Sequence, residues 1–247
     1  MSTAMLSVGT PRITEAGRGA GWLSDWFGYF QRSSGQWILT TVLLLVISII
    51  VSLIPFLGSL LIYILMTVLM GGMMLGCHAQ QQGGEFSVNH LFAGFSQNTG
   101  QLVLLGVLYL VGNIIIVVLV VVFLILAPGG GMEAIHTFQS GGPEAITGLY
   151  NLVMLAVLVA LALYVPLLMA YWFAPALIVL ADVPALNAIK MSFAGCLSNI
   201  VPFLIYGIVG LILAIIAIIP FMLGWLILMP MIVASIYISF REIYTTS

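Results

Sequence analysis

The amino-acid sequence predicts an all-α, polytopic membrane protein, and three observations support this fold class. Of the 247 residues, 63% are hydrophobic and only 5% are charged, whereas soluble domains carry about 25% charged residues. The mean hydropathy is +1.27. Finally, the apolar residues form runs of about 20 residues, the length that a helix needs to cross a bilayer. The composition therefore excludes a large water-soluble domain and, with 5 basic side chains, a nucleic-acid partner.

Six apolar runs have the length of transmembrane helices. Pro55 separates the first two runs and Pro220 separates the last two, and because proline ends a helix we expect two tight helical hairpins. A longer Gly-rich segment over residues 128–147 joins the middle pair into a third hairpin, and Pro143 with Glu144 has the pattern of a helix start. The predicted spans are residues 37–53, 57–77, 102–127, 149–174, 201–219 and 222–240.

The basic residues predict which way the spans point. They precede the first span, lie between spans four and five, or follow span six. Because basic residues are retained in the cytoplasm, an even number of spans places both termini there. Residues 1–20 are polar and lack the pattern of a cleaved signal peptide, so we expect a disordered cytoplasmic tail. The five basic residues are Arg12, Arg18, Arg32, Lys190 and Arg241.

A short segment recurs before each odd-numbered span. The copy FGYFQRSSGQ begins at Phe27, FAGFSQNTGQ begins at Phe92, and the shorter FAGCLSN begins at Phe193. Apolar residues at helical spacing on one face predict a short cytoplasmic elbow helix that lies in the membrane interface. Three units, at about 21–78, 86–181 and 184–244, then form a single transmembrane domain over residues 21–244. The predicted interfacial side chains are Trp22, Trp26, Phe27, Phe92, Phe95 and Phe193.

The segment around the fourth span resembles a known family. The run WFAPALIV begins at Trp172, Asp182 follows it, and AIKMSF begins at Ala188 with Asn199 further along. This pattern is similar to uncharacterised bacterial inner-membrane proteins and to the membrane domain attached to some glycerophosphoryl diester phosphodiesterases, over most of residues 21–244. The resemblance implies a six-helix inner-membrane module without assigned catalytic residues. The catalytic domain of those phosphodiesterases has no counterpart in the sequence, so we do not expect their chemistry.

The predicted spans carry few groups that could perform catalysis. No ionisable side chain lies near the middle of a span, where such residues mark ion or proton pathways. The sequence shows no nucleophile with a histidine and an acid, no paired carboxylates and no His-Glu-x-x-His metal motif. We therefore predict no catalytic residues, no enzymatic activity and no cofactor.

Three residues are candidate polar or hinge positions. Asn113 lies near the centre of span three, where an unpaired amide is costly. An interhelical hydrogen bond, with Asn151 or a tyrosine, is favoured over a polar contact in a substrate cavity. Pro166 lies within span four and Pro175 at its end, and proline kinks a helix. A structural bend is favoured over a transporter site.

A stripe of soft side chains marks the end of span two. Met70, Met74, Cys77 and His78 recur at spacings of three and four residues, together with Met73. Thioether, thiolate and imidazole ligands suit Cu(I), so a copper site is one interpretation. Packing is favoured, because methionine fills irregular gaps and the glycines of the Gly72-x-x-x-Gly76 motif allow close helix contact. The two cysteines fit neither a disulfide framework nor a zinc pattern.

These observations leave two hypotheses for function. The first is a non-enzymatic accessory, scaffold or assembly subunit of an inner-membrane complex, in contact with membrane lipids and with a membrane-protein partner or further copies of itself. The alternative is a small carrier or channel for a lipid or another apolar or neutral molecule, which would use Asn113 or Pro166.

Overall fold

The computed structural model of the chain describes residues 5–55, 57–127, 130–141, 143–221 and 223–245. Within these ranges the regular structure is helical, and six helices are long and apolar enough to cross a membrane. The predicted all-α membrane fold is therefore confirmed. The six candidate spans are Ser34–Ser52, Leu57–Gln81, Thr99–Leu126, Ile146–Ala181, Ile200–Ile218 and Trp225–Tyr244.

Short helices stand immediately before three of these spans, where the sequence predicts the elbow helices. Their position in a membrane interface stays a prediction. In chain order the described helices are α1 (Arg18–Asp25), α2 (Phe27–Arg32), α3 (Ser34–Ser52), α4 (Leu57–Gln81), a 3₁₀ helix (Val88–Phe95), α5 (Thr99–Leu126), α6 (Gly131–Ser140), α7 (Pro143–Trp172), α8 (Ala174–Ala181), α9 (Ala185–Ser198), α10 (Ile200–Ile218) and α11 (Trp225–Tyr244).

The chain contacts divide the protein into two compact units. The first unit comprises Met1–Val107 and Met169–Ser247, and the second comprises Leu108–Leu168. The second unit contains the C-terminal part of α5, all of α6 and most of α7. The repeat boundaries predicted from the sequence, at about 21–78, 86–181 and 184–244, stay a prediction.

The core of the first unit is built around α8. All of its residues from 174 to 180 are buried, and both α4 and α9 pack against it. The WFAPALIV motif therefore forms the centre of this unit. Aromatic side chains fill much of the remaining core, and those that are almost completely buried are Trp22, Trp37, Phe86, Phe173, Tyr237, Phe240 and Tyr244.

A break at Phe173 separates α7 from α8. Pro175 lies in the first turn of α8, where its missing N–H donor costs little. The Ser192 hydroxyl of α9 accepts a hydrogen bond from Phe173 N at 2.9 Å and donates one to Met169 O at 2.7 Å. The backbone groups that the helix break leaves free thus find hydrogen-bond partners on a neighbouring helix. The candidate hinge Pro175 lies at the start of α8.

Glycines allow two short turns at the predicted proline positions. A Cβ atom on Gly58 would lie 2.0 Å from the carbonyl oxygen of Val51, and one on Gly224 would lie 2.5 Å from Cα of Ala217. In each case the chain approaches the residue seven positions earlier, which leaves no room for a side chain. Across these turns α3 contacts α4, and α10 contacts α11.

Two helix boundaries bear on the sequence predictions. The last span covers Trp225–Tyr244 rather than residues 222–240, and Met222 lies outside the described residues. At its C-terminal end α11 continues one turn beyond the predicted end, and this turn contains Glu242. Helix α7, which contains most of the fourth span, begins at Pro143, the predicted helix start, while the side chain of Glu144 also lies outside the described part.

Candidate functional site

The N-terminal segment differs from the disordered tail that the sequence predicts for residues 1–20. Helix α1 begins at Arg18, and backbone N–H groups of the preceding described residues bond to the last turns of α8 and α11. The final carbonyls of a helix lack partners within it, so they are ready acceptors for such a segment. These hydrogen bonds run from Leu6 N to Leu180 O at 2.7 Å, Gly9 N to Tyr244 O at 3.1 Å and Arg12 N to Ile243 O at 2.9 Å.

The N-terminal segment, α1, α2 and the ends of α4 and α11 enclose an open cavity of about 370 Å³ within the first unit. We call it the polar cavity. Four of the chain's 12 charged side chains line it, which makes it the natural candidate for a functional site. Its lining residues are Arg12, Asp25, Tyr29, Gln81, Ile238, Arg241, Glu242 and Thr245.

Arg18 holds both acidic side chains of the polar cavity. Its Nε and Nη2 atoms donate to the carboxylate oxygens of Glu242 at 2.8 to 3.0 Å, and Nη2 also lies 2.9 Å from Asp25 Oδ2. The indole Nε1 of Trp22 donates to Glu242 Oε2 at 3.0 Å. Hydrogen bonding to Glu242 raises the pKa of Arg18 above its ordinary value, so this group stays charged while it compensates the two carboxylates.

Two further guanidinium groups line the polar cavity. The backbone of Arg12 is fixed beside the end of α11, because its N–H donates to Ile243 O and its carbonyl accepts from Asn199 Nδ2 at 2.9 Å. Among the described residues, neither the Arg12 nor the Arg241 side chain forms an ion pair. The Tyr29 hydroxyl donates to Gln81 Oε1. Burial raises the pKa of Tyr29 to about 12, which keeps its hydroxyl protonated at neutral pH.

The soft stripe on α4 faces the protein interior. Met74 and Cys77 are completely buried, and Met70 is half-buried. His78 uses both ring nitrogens, with Nδ1 2.9 Å from the Tyr237 hydroxyl and Nε2 3.0 Å from Gln82 Nε2. Across the described ranges, no three His, Cys, Asp or Glu side chains are grouped to hold a metal ion. The copper interpretation stays a hypothesis that the sequence alone motivates.

Two of the candidate polar or hinge positions, Asn113 and Pro166, lie in the second unit. The Asn113 side-chain amide donates to Tyr109 O at 2.8 Å, one turn earlier in α5, and Asn151 is exposed. The Tyr109 and Tyr164 hydroxyls lie 2.9 Å apart and connect α5 with α7. Pro166 is an exposed residue inside α7. The second unit therefore holds a polar group inside two apolar spans.

The predicted interfacial aromatics divide into two groups. Four phenylalanines are between 36% and 51% exposed, as side chains that reach lipid should be, although contact with lipid stays a prediction. Trp22 differs, because it is completely buried and packs 5.2 Å from the ring of Phe203 in α10. Trp26 is half-buried beside Phe30. The four exposed rings are Phe27, Phe92, Phe95 and Phe193.

The seventh residue of each sequence copy stands at the corner between a short helix and the following span, and each side chain bonds to the segment that leads into the next short helix. These corner residues are Ser33, Asn98 and Asn199. Ser33 accepts from Phe86 N at 3.3 Å, and Asn98 donates to Ile178 O at 2.8 Å. Asn199 accepts from Thr14 N at 2.8 Å. The third copy thus connects back to the segment before α1, which closes a ring.

The tenth residue of the first two copies also bonds to the next short helix. Gln36 accepts a hydrogen bond from Val88 N at 3.1 Å and Gln101 accepts one from Ala185 N at 2.8 Å. Val88 and Ala185 are the first residues of the next short helices, whose N–H groups have no partner within the helix. In the third copy this position is a proline, Pro202, and its carbonyl lies directly against Gly19 of α1.

Comparisons with known proteins give one informative similarity. A probable inner membrane protein of Burkholderia thailandensis is 32% identical over 148 residues, which are 58% of this chain and 53% of that protein. The chain therefore spans about half the length of this relative. No family model and no solved structure matches the chain. The findings support an uncharacterised membrane protein, and they provide no connection to a glycerophosphoryl diester phosphodiesterase.

Sequence reasoning found the repeat but missed the role of its polar positions. A polar residue stands at the seventh position of all three copies, and glutamine stands at the tenth position of the first two. That regularity was an available signal for a shared structural role. Nothing in the sequence indicated that Trp22, Arg18 and Glu242 would meet, because Arg18 and Glu242 are separated by 224 positions.

Proposed function

We propose that this integral membrane protein is a non-enzymatic accessory, scaffold or assembly subunit of an inner-membrane complex. The observation that carries the proposal is the exposure of its most apolar spans. In the most apolar 18-residue windows of Thr99–Leu126 and Ile146–Ala181, none of the described residues is buried, whereas 56% and 61% are buried in Leu57–Gln81 and Trp225–Tyr244. The most apolar parts of these two spans are thus open to lipid or to another protein.

Small residues on α10 support the same proposal. A Cβ atom added to Gly207 or Gly210 would meet no other atom within 4 Å, so both glycines lie on a helix face without a neighbour. Lipid tails give apolar helices no reason to associate, and membrane helices instead associate through small residues that let backbones approach closely. A face with two open glycines suits a transmembrane helix of a partner or of a second copy.

The proposal assigns no catalytic role to the chain. Support comes from the engagement of its polar side chains, since Asp25 and Glu242 bond to Arg18 and His78 uses both ring nitrogens. We take the resemblance to the membrane domain of glycerophosphoryl diester phosphodiesterases as a likeness of membrane architecture only. On this view the protein shares a membrane module with those enzymes and not their hydrolytic chemistry.

We further propose the inner membrane as the location, with both termini in the cytoplasm. The relative's description as a probable inner membrane protein supports the location. The orientation is supported by Arg12, Arg18 and Arg241, which gather around one polar cavity at the end of two spans, because basic residues are retained in the cytoplasm. A reporter enzyme that is active only in the cytoplasm, fused after residue 245, tests the orientation.

The subunit role is tested by native mass spectrometry of the full chain, extracted gently at its natural expression level. We expect a stoichiometric protein partner or a homo-oligomer. Gly207→Leu combined with Gly210→Leu fills the open face of α10 and should displace the partner. Gly28→Leu is the matched control, because Gly28 also has open space around it but lies in α2, outside the spans. A monomer without any protein partner would contradict the subunit role.

The carrier alternative rests on the polar group of the second unit. Tyr109, Tyr164 and Asn113 place hydroxyl and amide groups inside apolar spans, and Pro166 interrupts the hydrogen-bond ladder of α7. If the protein is a carrier, Asn113→Leu or Pro166→Ala changes flux through reconstituted vesicles while the protein stays folded. Unchanged flux in both variants counts against transport.

A further inference from the structure

The polar cavity carries an excess of positive charge. Arg12 and Arg241 line it together with Asp25 and Glu242, and the guanidinium group of Arg18, next to the lining, adds a third positive charge against the two carboxylates. Arg18 alone engages both carboxylates. In the described part of the chain, Arg12 and Arg241 are therefore left without an acidic partner. One net positive charge remains in the cavity.

The backbones that carry the two uncompensated guanidinium groups lie next to each other. Arg12 N donates to Ile243 O, two residues beyond Arg241 on the last turn of α11. Two like charges on one cavity repel each other, and an anion between them removes that repulsion. Guanidinium groups present forked N–H donors that match the oxygens of a phosphate. The cavity thus has the charge and the type of donors that a phosphate site needs.

A neutral donor completes the lining. The Tyr29 hydroxyl donates its proton to Gln81 Oε1 and so orients the Gln81 side chain. Gln81 adds a side-chain amide at the end of α4. A volume of about 370 Å³ lies at the lower end of the range of roughly 300–1,000 Å³ for small-ligand pockets. This volume suits a phosphate ester headgroup and not a whole phospholipid.

The cavity lies where spans end. Gln81 is the last residue of the span Leu57–Gln81, and Arg241 belongs to the last turn of Trp225–Tyr244. The ends of spans lie at the depth of lipid headgroups, and basic pockets between membrane helices bind anionic headgroups there. Ile238, nearly one helical turn before Arg241, gives the cavity an apolar wall on the membrane side.

We propose that the polar cavity binds the phosphate ester of an anionic ligand between Arg12 and Arg241. The phosphate of an anionic membrane phospholipid and a soluble phosphate share this chemistry, and the depth of the cavity favours the phospholipid. This site does not depend on the subunit role proposed above. It assigns a ligand to the region where the N-terminal segment meets the last span.

The test uses the full chain in detergent and native mass spectrometry with two added lipids, anionic phosphatidylglycerol and zwitterionic phosphatidylcholine. The wild-type protein is expected to retain phosphatidylglycerol preferentially. Arg12→Gln and Arg241→Gln should each lower that retention roughly fivefold to tenfold, since each removes one charged contact to the phosphate. Lys190→Gln is the matched control, because Lys190 is an exposed basic residue of α9 outside the cavity.

A second variant tests the site without any change of charge. Tyr29→Phe removes the hydroxyl that orients the Gln81 amide and should lower retention of phosphatidylglycerol about threefold. Folding of every variant is checked by thiol labelling, because Cys77 and Cys196 are buried. Burial also raises the pKa of Cys196 to about 12, so we expect slow labelling of its thiol in the folded protein.

The outcomes separate the two sources of phosphate. Retention of phosphatidylglycerol that depends on Arg12 and Arg241 supports the lipid source. If inorganic phosphate binds in the absence of lipid with the same arginine dependence, the site is supported with a soluble ligand. Equal retention in the wild type and all variants overturns the proposal, and so does an equal loss in Lys190→Gln, because both results show attraction to the overall charge of the protein.

Discussion

At the scale of single residues, Glu242 connects the first helix to the last span. Its carboxylate accepts three hydrogen bonds from Arg18 and one from the Trp22 indole. Hydrogen bonds between a guanidinium group and a carboxylate are about twice as strong as neutral ones. The Trp22 ring is buried behind the ion pair, so α1 is fastened to α11 by both polar and apolar contacts.

A glycine in the second sequence copy is a second residue on which the packing depends. A Cβ atom on Gly94 would lie 2.1 Å from the carbonyl oxygen of Val68 in α4, and backbone cannot move aside cheaply. Gly94→Ala is therefore expected to lower the free energy of unfolding by about 1–3 kcal/mol. Thermal unfolding followed by thiol labelling measures the change, since the cysteines become reactive only when the core opens.

The first sequence copy supplies the control for this prediction. Gly28 lies in α2 with no atom within 4 Å of an added Cβ. Because alanine loses less backbone freedom than glycine in a helix, Gly28→Ala should leave stability unchanged or raise it by up to about 1 kcal/mol. Equal destabilisation by the two substitutions would show that the close approach of Gly94 to Val68 is not the cause.

At the scale of elements, the spans were predictable because membrane helices are marked by length and composition. The predicted first span, residues 37–53, corresponds to Ser34–Ser52, while the tight proline hairpins stay a prediction. The break at Phe173 lies two residues before Pro175, which the sequence marks as a candidate hinge. Its partner could not be predicted, because the backbone groups that the break frees are satisfied by Ser192 from another helix.

The short elements show the same limit. The second copy forms a 3₁₀ helix, Val88–Phe95, where the apolar spacing indicates an α-helix. The backbone of this 3₁₀ helix passes close to α4 at Gly72 and Gly94. A tight contact with α4, which the sequence does not show, is therefore present where the helix type differs. The N-terminal segment has the polar composition of a disordered tail. It is ordered where described because the terminal carbonyls of α8 and α11 accept its N–H groups.

The polar cavity was predictable in part. The distribution of basic residues along the chain predicts Arg12, Arg18 and Arg241 on one side of the membrane, which stays a prediction. The structure places Arg12 and Arg241 in the lining of one cavity, with Arg18 bonded to its carboxylates. The pairing among them could not be predicted. Glu242 follows Arg241 directly in the sequence but bonds to Arg18, and this pairing alone decides which guanidinium groups stay available for an anion.

At the scale of the whole molecule, the three sequence copies form a closed ring of hydrogen bonds. Ser33 bonds to the segment before the 3₁₀ helix, Asn98 to the segment before α9, and Asn199 to the segment before α1. A linear chain with an internal repeat therefore needs its N-terminal segment to close the ring. That same segment carries Arg12 into the polar cavity, so ring closure and the proposed phosphate site depend on one contact.

Asn199→Ala should open this ring at one junction. Its side chain accepts from Thr14 N and Oγ1 and donates to Arg12 O. If the removal of these bonds destabilises the docked N-terminal segment by about 1.4 kcal/mol, its opening equilibrium rises tenfold. Hydrogen–deuterium exchange of residues 6–14 is expected to accelerate roughly tenfold. Exposed Asn187 of α9 provides the control Asn187→Ala, and Asn98→Ala should leave this segment protected because its partners are Ile178 and Asp182. Unchanged exchange in Asn199→Ala would show that the ring is closed by the backbone contacts of the segment alone.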